Sequence, residues 1–401
     1  MTIKRLFSGT LFVLLLAFLA AAQQKQASLP PAGRILLGHL ANGATVTFVR
    51  TGSDEWGIDV SGTAVPRLKQ PKPAQVEIYR KEDDVTDIAA SYRSVQKKPG
   101  EIFATATVEP AGGAAFTFVD HWKITGDVLI LSRTVTVTKE EKDAGFDSAI
   151  RLLTEPEISW SDLDYFAPGV IYGDPTYDGD NSPGGVLNYR AKRFALREDQ
   201  LSAPLFALSF RDGRWAAAMD MSPRGDTTWA ESSAAATTPV IDEHIQFGAL
   251  GAQESSDGGV EFGFWFPGTT HEFTRGFQTP PTPVVRRRYH PVKPGFSQSY
   301  QVGFRFGQGA SFPAMVRDSW RWAWETLKPP PMKLDLDVVR RVLTTHLDNH
   351  VLTVDDRSLA FLSSSTQSQG IPVPTAIGVD IAIPSRYHPA CRPMCRSRPM
   401  N

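Results

Sequence analysis

Apolar residues along this chain change their period near Gly307. Upstream they form short runs that alternate with polar positions and are split by Gly and Pro, which predicts β-strands. Strands are predicted at residues 35–40, 45–50, 56–60, 75–79, 102–108, 115–119, 123–125, 128–138, 148–153, 204–210, 214–221, 244–250, 260–266 and 299–306. Asn42-Gly43 and Gly126-Asp127 supply hairpin turns, as does Arg211-Asp-Gly-Arg. The run from Val128 to Thr138 is the strongest strand; its later half alternates Val135 and Val137 with threonines, one face buried and one wet. So many strands without intervening helices predict a mainly β fold, a large antiparallel β-sandwich or supersandwich.

Downstream, from Ser311 to Val351, apolar positions recur at three- and four-residue spacing in two segments. Phe312, Met315, Val316, Ser319, Trp320, Ala323, Trp324 and Leu327 share one face of a first helix, which three prolines at 329–331 terminate. A second helix over 336–351 places Val339, Val342, Leu343, Leu347 and Val351 on its apolar side. Together they predict a short α-helical hairpin following the sandwich. Residues 279–294 carry five prolines, which exclude a helix or a central strand. Their three arginines read as part of a solvated extended connection, with an anion patch as the alternative. Residues 370–401 hold six prolines, four arginines, both cysteines and one acid, Asp380, with no period of either kind. An out-of-register end of a longer chain is the preferred reading, and a natural basic tail the alternative.

The first residues alter the picture of where the protein works. Lys4 and Arg5, the apolar stretch from Leu11 to Leu19 and the small residues Ala20, Ala21 and Ala22 read as a secretory signal cleaved after Ala22. The stretch is shorter than the ~20 residues of a membrane span. The expected organisation is a signal peptide at 1–22, a β-supersandwich at 23–308, the start of a helical domain at 309–369 and the tail at 370–401. A secreted or periplasmic protein with no membrane association after cleavage is expected. Lys+Arg 42 against Asp+Glu 43 leaves no net field to attract nucleic acid. The body between signal and tail contains no cysteine and relies on its core.

Candidate chemistry concentrates in the loop from Asp162 to Gly185. Tyr165, Tyr172 and Tyr177 offer flat apolar platforms for a sugar, and Asp174, Asp178, Asp180 and Asn181 offer hydroxyl-binding groups. The same oxygens are a weak calcium candidate at 174–181, without EF-hand spacing; otherwise no cofactor is expected. Turn chemistry accounts for such a loop equally well. His346 and His350 stand at i, i+4, but Leu-Asp-Asn between them lacks the glutamate of a zincin, so a half-exposed helix face is the preferred reading. Asp355-Asp356 and Glu155/Glu157 read as a solvated turn and an exposed edge. Trp320, Trp322 and Trp324 read as packing rather than a binding stripe. Gly307-Gln-Gly-Ala-Ser-Phe312 lacks the third glycine and the setting of a dinucleotide loop, and no nucleophile elbow or Walker loop is present.

The strand Ser299-Tyr-Gln-Val-Gly-Phe-Arg-Phe306, followed by Phe312-Pro-Ala-Met-Val-Arg-Asp-Ser-Trp-Arg-Trp-Ala-Trp324, resembles the sandwich-to-toroid junction of the six-hairpin glycosidase-like proteins. In these a supersandwich precedes an (α/α) toroid. The resemblance spans about 30–365 as architecture. It implies an exported carbohydrate-active protein related to glycoside hydrolases, with a polysaccharide or glycan as partner. The catalytic carboxylates of that family come from toroid loops, and this chain has room for little more than one hairpin of six. The resemblance therefore transfers no catalytic residue and implies a fragment lacking its catalytic domain. A non-catalytic carbohydrate-binding or cell-envelope sandwich is the alternative.

Overall fold

The computed structural model of the chain describes residues 33–81, 84–177, 185–226, 240–268, 272–273, 285–286, 288–330, 333–349, 351–354 and 357–360. Contacts divide it into two compact units, Met1–Lys328 and Pro329–Asn401. The division falls after the first predicted helix rather than before it.

The first unit is mainly β and is built on two large sheets. The first runs in the order Arg34–His39, Thr45–Gly52, Glu55–Ser61, Leu68–Gln70, Gly145–Leu153, Val260–Phe266, Ala249–Glu254 and Arg193–Arg197. Its hub is Gly145–Leu153, which also pairs with Ala74–Lys81 and Arg288–Pro291. The second sheet runs in the order Ile171–Gly173, Leu163–Ala167, Leu205–Phe210, Arg214–Asp220, Ser297–Gln308, Val128–Lys139, Ala115–Thr125, Glu101–Val108 and Ser94–Lys98. Their inner faces meet in one core, where Phe262 of the first sheet lies edge-on to Phe304 of the second at 6.2 Å. Trp122 lies against the same Phe304. Alternation sets these faces: Val135 and Val137 are buried in this core while Thr138 is exposed.

One buried ion pair interrupts the apolar interior. Arg133 donates through Nε to Asp120 Oδ1 at 2.8 Å and through Nη2 to Oδ2 at 2.6 Å. It also donates to the carbonyls of Ala149, on the opposite sheet, at 2.5 Å and of Pro73, just before a strand of that sheet, at 2.9 Å. The Tyr92 hydroxyl donates to Asp120, and Trp122 Nε1 donates to that hydroxyl at 2.9 Å. The pair thus ties the two sheets together with both charges fully satisfied.

Outside the core, the second sheet keeps an apolar face. Val128, Ile130, Phe166, Leu205, Ala207, Ala217 and Met219 lie beneath the helix Phe312–Leu327. The alanines let the helix approach, and Met315, Ser319, Trp322 and Ala323 are its buried residues. Lys328 ends it in the left-handed region at φ 45°, and the prolines that follow cannot continue it. This corrects the predicted face in one respect: Trp322 is 5% exposed and Trp324 is 61% exposed. Trp322 falls one turn beyond Ser319 and two beyond Met315, directly over the sheet.

Two further corrections concern strands. The predicted strands 115–119 and 123–125 are one strand, Ala115–Thr125. Within the proline-rich connection, Arg288–Pro291 is a strand between Gly145–Leu153 and Val240–Ile241. Arg288 is therefore no solvated cation, since its Nη1 lies 3.2 Å from Oδ2 of buried Asp242. In the second unit a helix, Leu336–Asn349, is capped by Asp335, whose Oδ1 accepts from the Asp337 amide at 2.9 Å. It stops before Val351, which opens a hairpin of Val351–Val354 and Arg357–Ala360.

Candidate functional site

At one rim of the second sheet, five distant segments line a cleft of about 530 Å³. Two turns and a strand end build it. The turn Gly126-Asp127 joins Ala115–Thr125 to Val128–Lys139, with Gly126 at φ 63°, and sets Asp127 beside Arg305 on the neighbouring strand. Arg305 donates to Asp127 Oδ2 through Nε at 2.6 Å and approaches it through Nη2 at 2.5 Å. Its Nη1 reaches the Asp318 carbonyl of the helix at 3.3 Å. The guanidinium also lies over the Trp215 ring, 5.9 Å from its centroid.

Trp215 is the direct cross-strand partner of Gly307. A Cβ at 307 would stand 2.7 Å from the indole Cζ2, so only glycine lets the ring lie across the strand. Asn42, from the first hairpin turn, docks on the rim by donating to the Phe306 carbonyl at 2.6 Å and accepting from the Ala44 amide at 3.0 Å.

Asn42 and the guanidinium are thus already committed. Three groups are not. Asp127 uses one oxygen for Arg305, and its other has no protein partner among the described residues. Gln308 is exposed, its amide unbonded among the described residues. Trp215 Nε1 is buried with no acceptor among the described residues. The cleft therefore offers an acceptor and an amide around a neutralised charge pair, with the buried edge of Trp215 in its floor. That arrangement suits a ligand of hydroxyl groups and apolar C–H faces. Asp127 is the one acid lining it, so the two carboxyl groups that cleave a glycosidic bond are not assembled there.

The loop expected to bind is differently built. Tyr165 is 0% exposed, packs on Trp160 and Phe194, and donates to the Trp160 carbonyl at 2.6 Å, so it is no sugar platform. Tyr172 is 55% exposed, with its ring against Phe166 and its hydroxyl accepting from the Gly169 amide at 3.1 Å. Asp174 closes a local turn, Oδ1 accepting from the Thr176 amide at 2.9 Å and hydroxyl at 2.7 Å; these bonds hold it below the usual carboxylate range. The Tyr177 side chain, Asp178, Asp180 and Asn181 lie outside the described residues, as do the His346 side chain, His350, Asp355 and Asp356. Among the described residues no three His, Cys, Asp or Glu side chains are placed to hold a metal.

Asn42, Asp127, Trp215 and Arg305 were not legible as a site. Asp127 and Arg305 stand 178 residues apart, and only the pairing of Val128 with Arg305 joins them. The available signals were the Gly126-Asp127 turn and the glycine at 307, both of which read as local structure.

No family profile matches the chain, and no curated protein matches it. Among solved structures it is similar to the α-N-acetylgalactosaminidase NagBb from Bifidobacterium bifidum, in complex with GalNAc, at 10% identity and TM-score 0.38 over 73% of this chain. It is similar to an α-mannosidase from Enterococcus faecalis at 8% identity and TM-score 0.38 over 71%. A galactose mutarotase related enzyme from Lactobacillus acidophilus is similar at 10% identity and TM-score 0.35 over 69%, with 98% of that chain covered. The chain spans 38% of the first and 31% of the second. At such identities and TM-scores these likenesses carry no residue assignment over to the cleft.

Proposed function

We propose that this is an exported carbohydrate-binding β-sandwich protein that holds a neutral glycan in the rim cleft between Asp127, Trp215, Arg305 and Gln308. The observation that carries the proposal is the set of uncommitted groups around a charge pair that cancels itself. Asp127 accepts from a sugar hydroxyl, Gln308 exchanges hydrogen bonds with another, and the ring lies along the Arg305 side chain. Arg305 is spent on Asp127, so the cleft gives no advantage to uronates or sugar phosphates. The residues from Lys4 to Ala22 support the exported reading. Kinship with glycoside hydrolases, and a catalytic domain supplied by further sequence, belong to the same proposal; the cleft itself binds and does not cleave.

A glycan array probed with the purified chain, followed by calorimetric titration of the best ligand, tests it. A neutral glycan is expected to bind, with Asp127→Asn weakening it about tenfold, the loss of one charge-assisted hydrogen bond. An array without binders, or one led by anionic glycans that Asp127→Asn leaves untouched, rejects it.

A further inference from the structure

Four buried polar side chains form a single file where the two sheets meet beside the strand Arg288–Pro291. Ser148, from Gly145–Leu153, and His290, from Arg288–Pro291, belong to the first sheet. Gln298 and Tyr300 belong to Ser297–Gln308 of the second. None of the four is more than 5% exposed. Phe146, Phe266 and Phe296 surround the imidazole, with ring centroids 6.3, 5.5 and 4.8 Å from its own.

Each link of the file has one polarity. The Ile245 carbonyl can only accept, so His290 Nε2, 2.8 Å away, carries the ring proton. The neutral imidazole leaves Nδ1 bare, and Gln298 Nε2 donates to it at 2.8 Å. The other end of that amide, Oε1, accepts from the Ser148 hydroxyl at 2.5 Å. Ser148 has a single proton to give, so in its 3.1 Å contact with Tyr300 the tyrosine hydroxyl is the donor. Donation thus runs one way, from Tyr300 through Ser148, Gln298 and His290 to Ile245. A second proton on the imidazole turns Nδ1 into a donor that faces the Gln298 donor. Turning the amide over restores that bond, but Gln298 Nε2 then donates to Ser148, whose hydroxyl must turn to Tyr300. Tyr300 in turn loses its acceptor, with the Arg133 charge acting on it.

We propose that this file is an acid-sensitive latch: one proton taken from solvent onto His290 Nδ1 turns the Gln298 amide over, reverses the file and releases Arg288–Pro291 from the join between the sheets. One N–H bond is formed, and the interior gains one positive charge. Burial holds His290 down to about 4, although Asp242 and Glu243 favour its charged form. Both acids are already engaged, Asp242 with Arg288 at 3.2 Å and Glu243 with Lys293 at 3.3 Å. From the second sheet the ring faces Tyr300 and, beyond it, Arg133; from the first it meets the uncharged Phe146 and Phe266. An unfolded chain takes up the same proton at 6.5, so this part of the fold loses stability as pH falls from 6.5 towards 4. Arg288–Pro291 pairs in parallel with Val240–Ile241, and its Tyr289 carbonyl accepts from the Asp242 amide at 2.9 Å. Opening the latch therefore loosens that neighbouring strand as well.

Nitrogen NMR of the full chain labelled at histidine, with the His290 signals identified by their loss in His290→Asn, tests the proposal together with hydrogen exchange. The ring is expected to carry its proton on Nε2 and to stay neutral down to about pH 4. Between pH 5.5 and pH 3.5, after correction for intrinsic rates, amides at 288–290 and at Asp242 should lose about tenfold in protection, while Val128–Lys139 keeps its own. Gln298→Glu supplies a carboxylate that accepts from both Nδ1–H and Ser148. It should raise the His290 titration by about two units and remove the acid-dependent exchange. A proton on Nδ1 at neutral pH, a titration at the ordinary 6.5, or protection lost evenly through both sheets overturns the proposal. So does a Gln298→Glu variant that still titrates near 4. Where that variant does not fold, the wild-type tautomer and exchange pattern decide.

Discussion

Asp120 and Arg133 are the clearest case of a single pair shaping the interior. Each charge is desolvated, and each is compensated by the other together with Tyr92, Ala149 and Pro73. Removing one member strands the other without water. Asp120→Ala should therefore cost about 3–5 kcal/mol in chemical denaturation, whereas replacing both by apolar residues of similar volume should recover most of that loss. The same residue explains a misreading. Asp120 and His121 break the apolar alternation between Phe118 and Trp122, so the sequence reads as two strands where one is formed. Periodicity treats a charged residue as a boundary and cannot see a partner on the adjoining strand. Tyr165 fails in the opposite sense, since its polar hydroxyl is satisfied by the nearby Trp160 carbonyl and its ring is free to enter the core.

At the scale of elements, the helix Phe312–Leu327 covers the second sheet, and Trp322 and Trp324 separate packing from exposure. Trp322→Ala should destabilise by about 3–5 kcal/mol, the usual cost of emptying a buried aromatic site. Trp324→Ala should stay within about 0.5 kcal/mol, as surface changes do. Thermal melts of the two variants decide the assignment; equal losses would return the face to the one read from spacing. The strands were largely legible because alternation and Gly turns act locally. Val128–Lys139 and Ser297–Gln308 appear almost as predicted. What escaped was set by distant partners. Arg288–Pro291 is a strand because it lies beside Gly145–Leu153, and Pro291, lacking an N–H, sits at its end.

Across the whole molecule, the two sheets also meet through a pair of acids. Glu198 follows the last strand of the first sheet, and Asp220 ends a strand of the second. Burial, then the charge of Asp220, raises Glu198 to about 9, and burial raises Asp220 too. A carboxyl raised this way holds a proton in the folded state that the unfolded chain releases above about 4.5, so stability falls as pH climbs from there towards 9. Glu198→Gln removes that dependence and can keep the acceptor for the Gly248 amide. Its melting temperature should exceed the wild type's by a margin that widens between pH 5 and pH 9; a margin independent of pH would refute the assignment. Such pairs, like the rim cleft, were illegible in the sequence because tertiary pairing alone creates them.

One pairing bears on how the chain is made. Ser297–Gln308 lies between Val128–Lys139 and Arg214–Asp220, both synthesised long before it. Until it is synthesised the second sheet cannot close, and whatever has formed on either side of it lacks a partner at a central edge. Closure is therefore late, and it delivers Gly307 against Trp215 and Arg305 against Asp127 in the same step. The rim cleft is the last part of the sheet to be finished, and its completion coincides with the moment that edge finds its partner.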